Sequence, residues 1–372
     1  MKSRNTLVAC FLLVLVLPGA ANLAGFSGAN PEGENRRMAE FPRLDARPAT
    51  LAALPAAFTA WFDDSFGFRS HLVRWSSEFR YFVLGVSPTT TVARGEDGWL
   101  YYADDSGMDD YSRESPFTAA ALDDWRETLV RSREWLDGEG IGFVFAIAPD
   151  KHVVYPEHLP SSIRPVGDTY RMDQLFRTLD GSGVVTVDFR EALFAAKARE
   201  RLFEKTDTHW NERGAFVAYQ QLVGAIREQV PAVPPAWARE EFEAVSRDES
   251  ALDLAGMIGL KDVLREERLL LRPRRARLAR TVEPVGGEPW WGEGRIVTEI
   301  PGSTLPRAVV FRDSFTSRLA PYLSEHFSRV VYLWQDNFDA GVIREEKPAV
   351  VIQEIVGRHL LYVSPYSSAP AR

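Results

Sequence analysis

Four short runs, at 143–147, 307–311, 330–333 and 349–352, limit what this chain can fold into. Each is mostly apolar without polar alternation, the pattern of a strand buried on both faces. A fifth strand is read at 184–187. Between the strands lie stretches with helical spacing: Leu122, Trp125, Leu129 and Leu136, then 170–179, a run from Arg190, and Ala215, Tyr219, Leu222 and Ile226. Further helices are expected at 315–327 and around Leu360. Strands alternating with helices imply an α/β architecture, a mostly parallel sheet with helices on both faces. Residues 231–306 interrupt the rhythm with Pro231, Pro234 and Pro235 and then read as β-rich, so an excursion from the core is expected there.

The N-terminus reads as an export signal or an uncleaved signal anchor over 1–25. Lys2 and Arg4 precede an apolar run from Leu7 to Leu17, and Pro18, Gly19, Ala20 and Ala21 follow it. Either form puts the body of the protein outside the cytoplasm, in the periplasm or cell envelope. Cys10 is the single cysteine, so no disulfide within the chain and no cysteine zinc site is possible. It lies inside the apolar run rather than after it, which argues against lipidation at that position. Residues 26–50 read as a linker, and 51–86 as two helices punctuated at Phe66, Gly67 and Phe68. The net charge of −8 and the lack of a basic face beyond Arg272, Arg274 and Arg275 argue against a nucleic-acid partner.

The chemistry concentrates in Lys205-Thr206-Asp207-Thr208-His209-Trp210 and in Phe311-Arg312-Asp313-Ser314-Phe315. In an extended segment, Asp207 and His209 project to one side. A carboxylate that orients an imidazole is two thirds of a nucleophile-activating triad. Ser314, just past a strand and at a helix start, offers the third member. Taken alone, Ser314 or Asp313 is more simply a helix N-cap, and His209 a packed residue beside Trp210. Asp-x-His also opens a metal-hydrolase pattern. That pattern needs further clustered His and Asp ligands, and His71, His152, His158, His326 and His359 stand in no such motif, so no metal is expected.

The two segments together resemble the SGNH-hydrolase-like proteins related to alginate O-acetyltransferases, in which Asp-x-His precedes the nucleophilic Ser along the chain. The order is the reverse of that in ordinary SGNH hydrolases. Phe66-Gly67-Phe68-Arg69, Gly95-Glu96-Asp97-Gly98-Trp99-Leu100-Tyr101, Ala148-Pro149-Asp150-Lys151 and Tyr155-Pro156-Glu157 extend the likeness over most of the chain after its N-terminal segment. The resemblance implies an SGNH-like catalytic domain over 51–372 with the β-rich insertion at 231–306. It implies an O-acetyltransferase acting on an exopolysaccharide through Asp207, His209 and Ser314, with no cofactor. The acetyl donor would be a membrane-bound O-acyltransferase partner. A carbohydrate acetylesterase using the same triad, and a non-catalytic polysaccharide-assembly protein, are the alternatives. Asn337, after a strand, is a candidate oxyanion donor, and it reads equally as a turn residue. Lys151 is a candidate for substrate or acyl binding, or a solvated lysine. Arg312 stands where a Gly-Asp-Ser hydrolase has Gly. Trp210, Trp290, Trp291 and Trp334 offer faces suited to sugar C–H groups, although Trp is more often core.

Overall fold

The computed structural model describes residues 2–23, 39–43, 48–283 and 294–363. Trp290, Trp291, the tail 364–372 and most of the expected linker lie outside these residues. The chain divides into two compact units, one of residues 1–92 and 250–264, the other of 93–249 and 265–372.

The first unit carries α1 (Lys2–Leu23), α2 (Pro48–Ser65) and α3 (Arg69–Glu78), which runs on into a π-helical turn, Phe79–Val83. The expected punctuation separates α2 from α3. Phe68 takes a left-handed conformation with φ 62°, and a Cβ on Gly67 would collide with the Pro18 carbonyl. Only glycine lets the end of α1 lie against this corner. Asn22 closes the contact by donating to the Ser65 carbonyl.

Strand β1 (Val92–Arg94) leads into the second unit and pairs with β2 (Leu100–Tyr102). Asp97 and Gly98 both have positive φ, 52° and 81°, as a type I′ hairpin turn requires. The remaining strands are β3 (Gly142–Ala148), β4 (Val185–Asp188), β5 (Phe242–Ser250), β6 (Arg265–Pro273), β7 (Arg280–Glu283), β8 (Arg295–Glu299), β9 (Arg307–Arg312), β10 (Arg329–Trp334) and β11 (Val350–Val356). Seven of them form the central sheet, in the order β4-β3-β11-β9-β10-β8-β7. The first five are mutually parallel, and β8 and β7 add antiparallel to the edge.

The apolar runs behave as their composition predicts. Val144, Ala146, Val310, Val330, Tyr332, Val350 and Ile352 enter one core. Their neighbours Phe143, Phe145, Ile147, Val309, Phe311, Val331 and Val351 enter another on the opposite face. The second core packs against α4 (Ala119–Gly138) and α5 (Arg171–Leu179). The first packs against α6 (Arg190–Lys197), α7 (Glu212–Gln229) and α8 (Thr316–Leu323). Helix α9 (Ala340–Glu346) returns the chain from β10 to β11.

Residues 231–306, expected as a β-rich excursion, divide between two fates. Strands β5 and β6 pair with each other as a separate ribbon, whereas β7 and β8 join the main sheet. The expected helix around Leu360 is a 3₁₀ turn, Gly357–Leu361. Trp210 is fully buried in the first core. Trp210 therefore presents no open face to a sugar, and Trp334, half-buried, has the Arg312 guanidinium over its ring, 4.4 Å from the centroid.

Candidate active site

Strand β9 ends at Arg312, and Ser314 sits two residues beyond it, at the turn into α8. Its strand lies between β11 and β10, so the loops after those strands flank it. The Asp-x-His segment comes from across the sheet. A bridge between Phe203 and Trp210 pinches 204–209 into a loop, and the Asn211 N–H donates to the Leu202 carbonyl at 2.8 Å. Asn211 caps α7, its side-chain oxygen accepting from the N–H groups of Arg213 (2.9 Å) and Gly214 (3.0 Å). A Cβ on Gly214 would collide with the Leu202 carbonyl, so glycine is what lets α7 start this close to the loop.

These supports bring the three sequence-predicted residues together. His209 Nδ1 lies 2.6 Å from Asp207 Oδ1, and His209 Nε2 lies 2.8 Å from Ser314 Oγ. The local geometry differs from the expected extended pair. Asp207 Oδ1 also accepts the His209 backbone N–H at 3.0 Å, so the segment turns and the carboxylate holds both the ring and the backbone of its partner. An imidazole with a carboxylate on one nitrogen and a hydroxyl on the other is oriented to accept the hydroxyl proton. Trp210 Nε1–H donates to the Phe315 carbonyl at 3.1 Å, tying the histidine loop to the serine turn.

The site's electrostatics rest on residues that sequence reasoning missed. Arg318, on α8, donates to Asp207 Oδ2 (3.2 Å), Glu204 Oε1 (3.1 Å) and the Trp210 carbonyl (2.6 Å). Burial opposes ionisation of Asp207, but His209 and Arg318 outweigh it and hold the carboxyl well below the usual range. Arg318 falls four residues after Ser314, and helical spacing from the nucleophile is the signal that points to it.

Asp313 anchors the turn. Its Oδ1 accepts from Phe315 N–H at 2.8 Å, and its Oδ2 from the N–H of Val356, the last residue of β11, at 2.7 Å. Beside it, Glu354 is fully buried and accepts from Thr316 Oγ1 at 2.8 Å. Burial, reinforced by the Asp313 charge, raises the Glu354 carboxyl well above its ordinary range, so it favours the neutral form. Arg312, in place of glycine, continues β9 in register with Trp334. Its guanidinium donates to Ser317 Oγ at 2.9 Å and to the Asp313 carbonyl at 3.2 Å. Burial pushes it down to about 10.

The other two predicted residues have different placements. Lys151 is not a substrate-facing cation. It is buried, and its ammonium donates to the carbonyls of Glu204 (3.1 Å), Lys205 (3.1 Å) and Asp207 (2.6 Å). It braces the histidine loop from behind. Asn337 stands in the exposed turn after β10, where its carbonyl accepts from Gln335 Nε2 at 2.7 Å. It lines a cleft of about 380 Å³ with Asp336, His359, Tyr362 and Val363. His359 Nδ1 lies 3.6 Å from Asp313 Oδ2, next to the serine.

One group of metal-type donors gathers in the second unit: Asp110, Asp150 and His152, all buried, with one ligand atom from each within 4.8 Å of the others. Arg358 already pairs with Asp150, and Arg171 faces Asp110 at 3.9 Å, so the protein itself supplies positive charge to these carboxylates.

The chain resembles known proteins at the level of family and fold. Residues 92–288 match the family model of the SGNH hydrolase-like domain of the acetyltransferase AlgX. The chain is 29% identical over 235 residues to the probable alginate O-acetylase AlgJ of Pseudomonas syringae pv. tomato, covering 60% of this chain and 52% of that protein. It is 32% identical over 141 residues to the AlgJ protein of Pseudomonas aeruginosa, covering 37% and 33%. The chain thus spans about half the length, or less, of these curated relatives. Among solved structures, Bacillus cereus PatB1 with a sulfonyl adduct aligns at TM-score 0.55 and 15% identity, covering 75% of this chain and 100% of that one. A DHHW family protein from Eubacterium siraeum aligns at TM-score 0.54 and 14% identity, covering 76% and 97%. These structural likenesses speak to the fold.

Proposed function

We propose, starting from the fact that the chain belongs to the SGNH hydrolase-like domain family of the acetyltransferase AlgX, that it is an O-acetyltransferase acting on an exopolysaccharide outside the cytoplasm. The observation that carries the reading is the relay from Asp207 Oδ1 through His209 to Ser314 Oγ, at 2.6 and 2.8 Å, in a chain whose relatives are named alginate O-acetylases.

The reaction follows from these roles. His209 Nε2 takes the Ser314 hydroxyl proton as Oγ attacks the acetyl carbonyl of the donor. Asp207 stabilises the imidazolium that forms. The tetrahedral intermediate collapses, the donor's leaving group takes the proton from His209, and acetyl-Ser314 remains. A sugar hydroxyl then attacks this ester and loses its proton to His209. Collapse of the second intermediate returns that proton to Ser314 and releases the acetylated sugar. The Ser314 backbone N–H, at the turn into α8, and the Asn337 amide are the proposed oxyanion donors. Water in place of the sugar makes the same site an esterase.

The donor partner in this reading is a membrane-bound O-acyltransferase, and the acceptor is a polysaccharide. Helix α1, long and apolar enough over residues 5–22 to cross a membrane, supports an exported or anchored protein. The test is p-nitrophenyl acetate turnover by the parent, Ser314→Ala and His209→Ala, with mass spectrometry for an acetyl adduct on Ser314. Turnover and an adduct in the parent, both lost in Ser314→Ala, support the reading. Equal turnover in all three overturns it. Transfer to acetyl-free alginate oligomers then separates transferase from esterase.

A further inference from the structure

Helix α3 and the turn that continues it have two unlike faces. Ser77 and Tyr81, one turn apart, are buried, while Leu72, Trp75, Phe79 and Phe82 recur at helical spacing on the opposite side and are exposed. Trp75 is 63% exposed, Phe82 56% and the adjoining Val83 67%. On α2, Phe58 and Phe62 are also exposed, and their rings stack at 6.2 Å. An apolar patch of this kind on a folded unit marks a surface that meets something else.

The first unit itself indicates what that is. The C-terminal end of α1 packs on the corner between α2 and α3, through Pro18 and Ala21 against Gly67 and through Asn22 to the Ser65 carbonyl. The apolar side chains of α1 are exposed along its length, Leu7 by 73% and Val14 by 70%, as in a helix whose neighbour is lipid. A spanning α1 would exit the bilayer at that corner, and the corner would stand at headgroup level. Trp and Phe on a helix at that level are the residues that settle into the membrane interface.

We propose that the aromatic face of α2 and α3 docks on a lipid bilayer, with Trp75, Phe79 and Phe82 seated at the boundary between headgroups and acyl chains. This surface is independent of the acetyl-transfer reading.

The test uses the full chain, with α1 retained, in vesicles of phosphatidylethanolamine and phosphatidylglycerol. In a Cys10→Ser background, nitroxide labels go on single cysteines from Trp75→Cys and Phe82→Cys, with Val166→Cys, at a position 72% exposed in the second unit, as the reference. Spin-label collision rates with oxygen and with a water-soluble nickel chelate report depth. The expected result is an oxygen-to-nickel ratio several-fold higher at 75 and 82 than at 166. The same ratio at all three positions overturns the proposal. So does shielding of 75 and 82 from both reagents, which contact with protein, a second copy included, would give. Phe79→Cys replaces either site if its variant shifts the urea midpoint.

Discussion

Asp207 and Arg318 form a buried ion pair at 3.2 Å, and its carboxylate is the one that holds His209. The charge that orients the histidine is therefore itself held by a residue on the serine's helix. The two halves of the site are joined behind the reacting atoms.

Removing that guanidinium leaves a buried carboxylate without its cation. Arg318→Met should lower stability by about 3–5 kcal/mol in urea unfolding. It should also lower kcat for p-nitrophenyl acetate, because Asp207 loses the group that holds it behind His209. An unchanged kcat at lowered stability would show that His209 alone holds the carboxylate in place.

Asp207→Asn keeps the shape of the loop and removes the charge. A triad of this kind loses about 10⁴-fold in kcat when its acid becomes an amide. A loss below tenfold would move Asp207 out of the relay.

Lys151→Met leaves the buried carbonyls of Glu204 and Asp207 without their ammonium, while the Lys205 carbonyl keeps the Leu100 N–H. Each unmet group costs about 1–3 kcal/mol, so thermal unfolding should move clearly downward. Turnover should fall in kcat, through a loosened loop, with KM nearly constant. A rise in KM alone, at full stability, would return Lys151 to the substrate-binding role expected from sequence.

His326 supplies a pH prediction away from the site. Burial lowers its pKa to about 4. Its Nδ1–H donates to the Pro234 carbonyl at 3.1 Å, and its Nε2 accepts from the Tyr219 hydroxyl at 2.6 Å, so the native ring is neutral. Between its ordinary value and about 4, the unfolded chain binds a proton that the native one does not. Stability should fall as pH drops through that window, by about 3 kcal/mol at roughly 1.4 kcal/mol per unit. His326→Gln should flatten this slope in urea midpoints measured from pH 7 to pH 4.

Glu354 works in the opposite direction. Its carboxyl is raised in the native state, so the folded chain keeps a proton that the unfolded chain has released. Stability should therefore decline as pH rises from the ordinary glutamate range toward the raised one. Glu354→Gln, which fixes the neutral shape, should remove that decline. If the variant instead steepens it, the native Glu354 is charged.

Asp207, His209 and Ser314 were legible because each lies in a short motif next to a strand end or a helix start. Lys151 was not, because the carbonyls it holds belong to residues more than fifty positions away, and a sequence names no acceptors. Arg318 was within reach, one helical turn past Ser314. The place of β8 was hidden for a different reason. Its short Ile-Val-Thr centre between charged ends reads as a surface ribbon, and only its pairing with β10 makes it part of the core sheet. Arg312 looked like a defect beside the glycine of related hydrolases, and the Trp334 ring beneath its guanidinium accounts for it.

The middle of the sheet is contributed late. Strands β3 and β4 are made early, whereas β9, β10 and β11, which complete the centre, all follow residue 306. A ribosome therefore releases the histidine loop well before the strand that delivers the serine. Contacts so far apart in sequence slow folding. They also mean that no nascent fragment ending before β9 holds an assembled relay, so the nucleophile and its base meet only when the sheet closes.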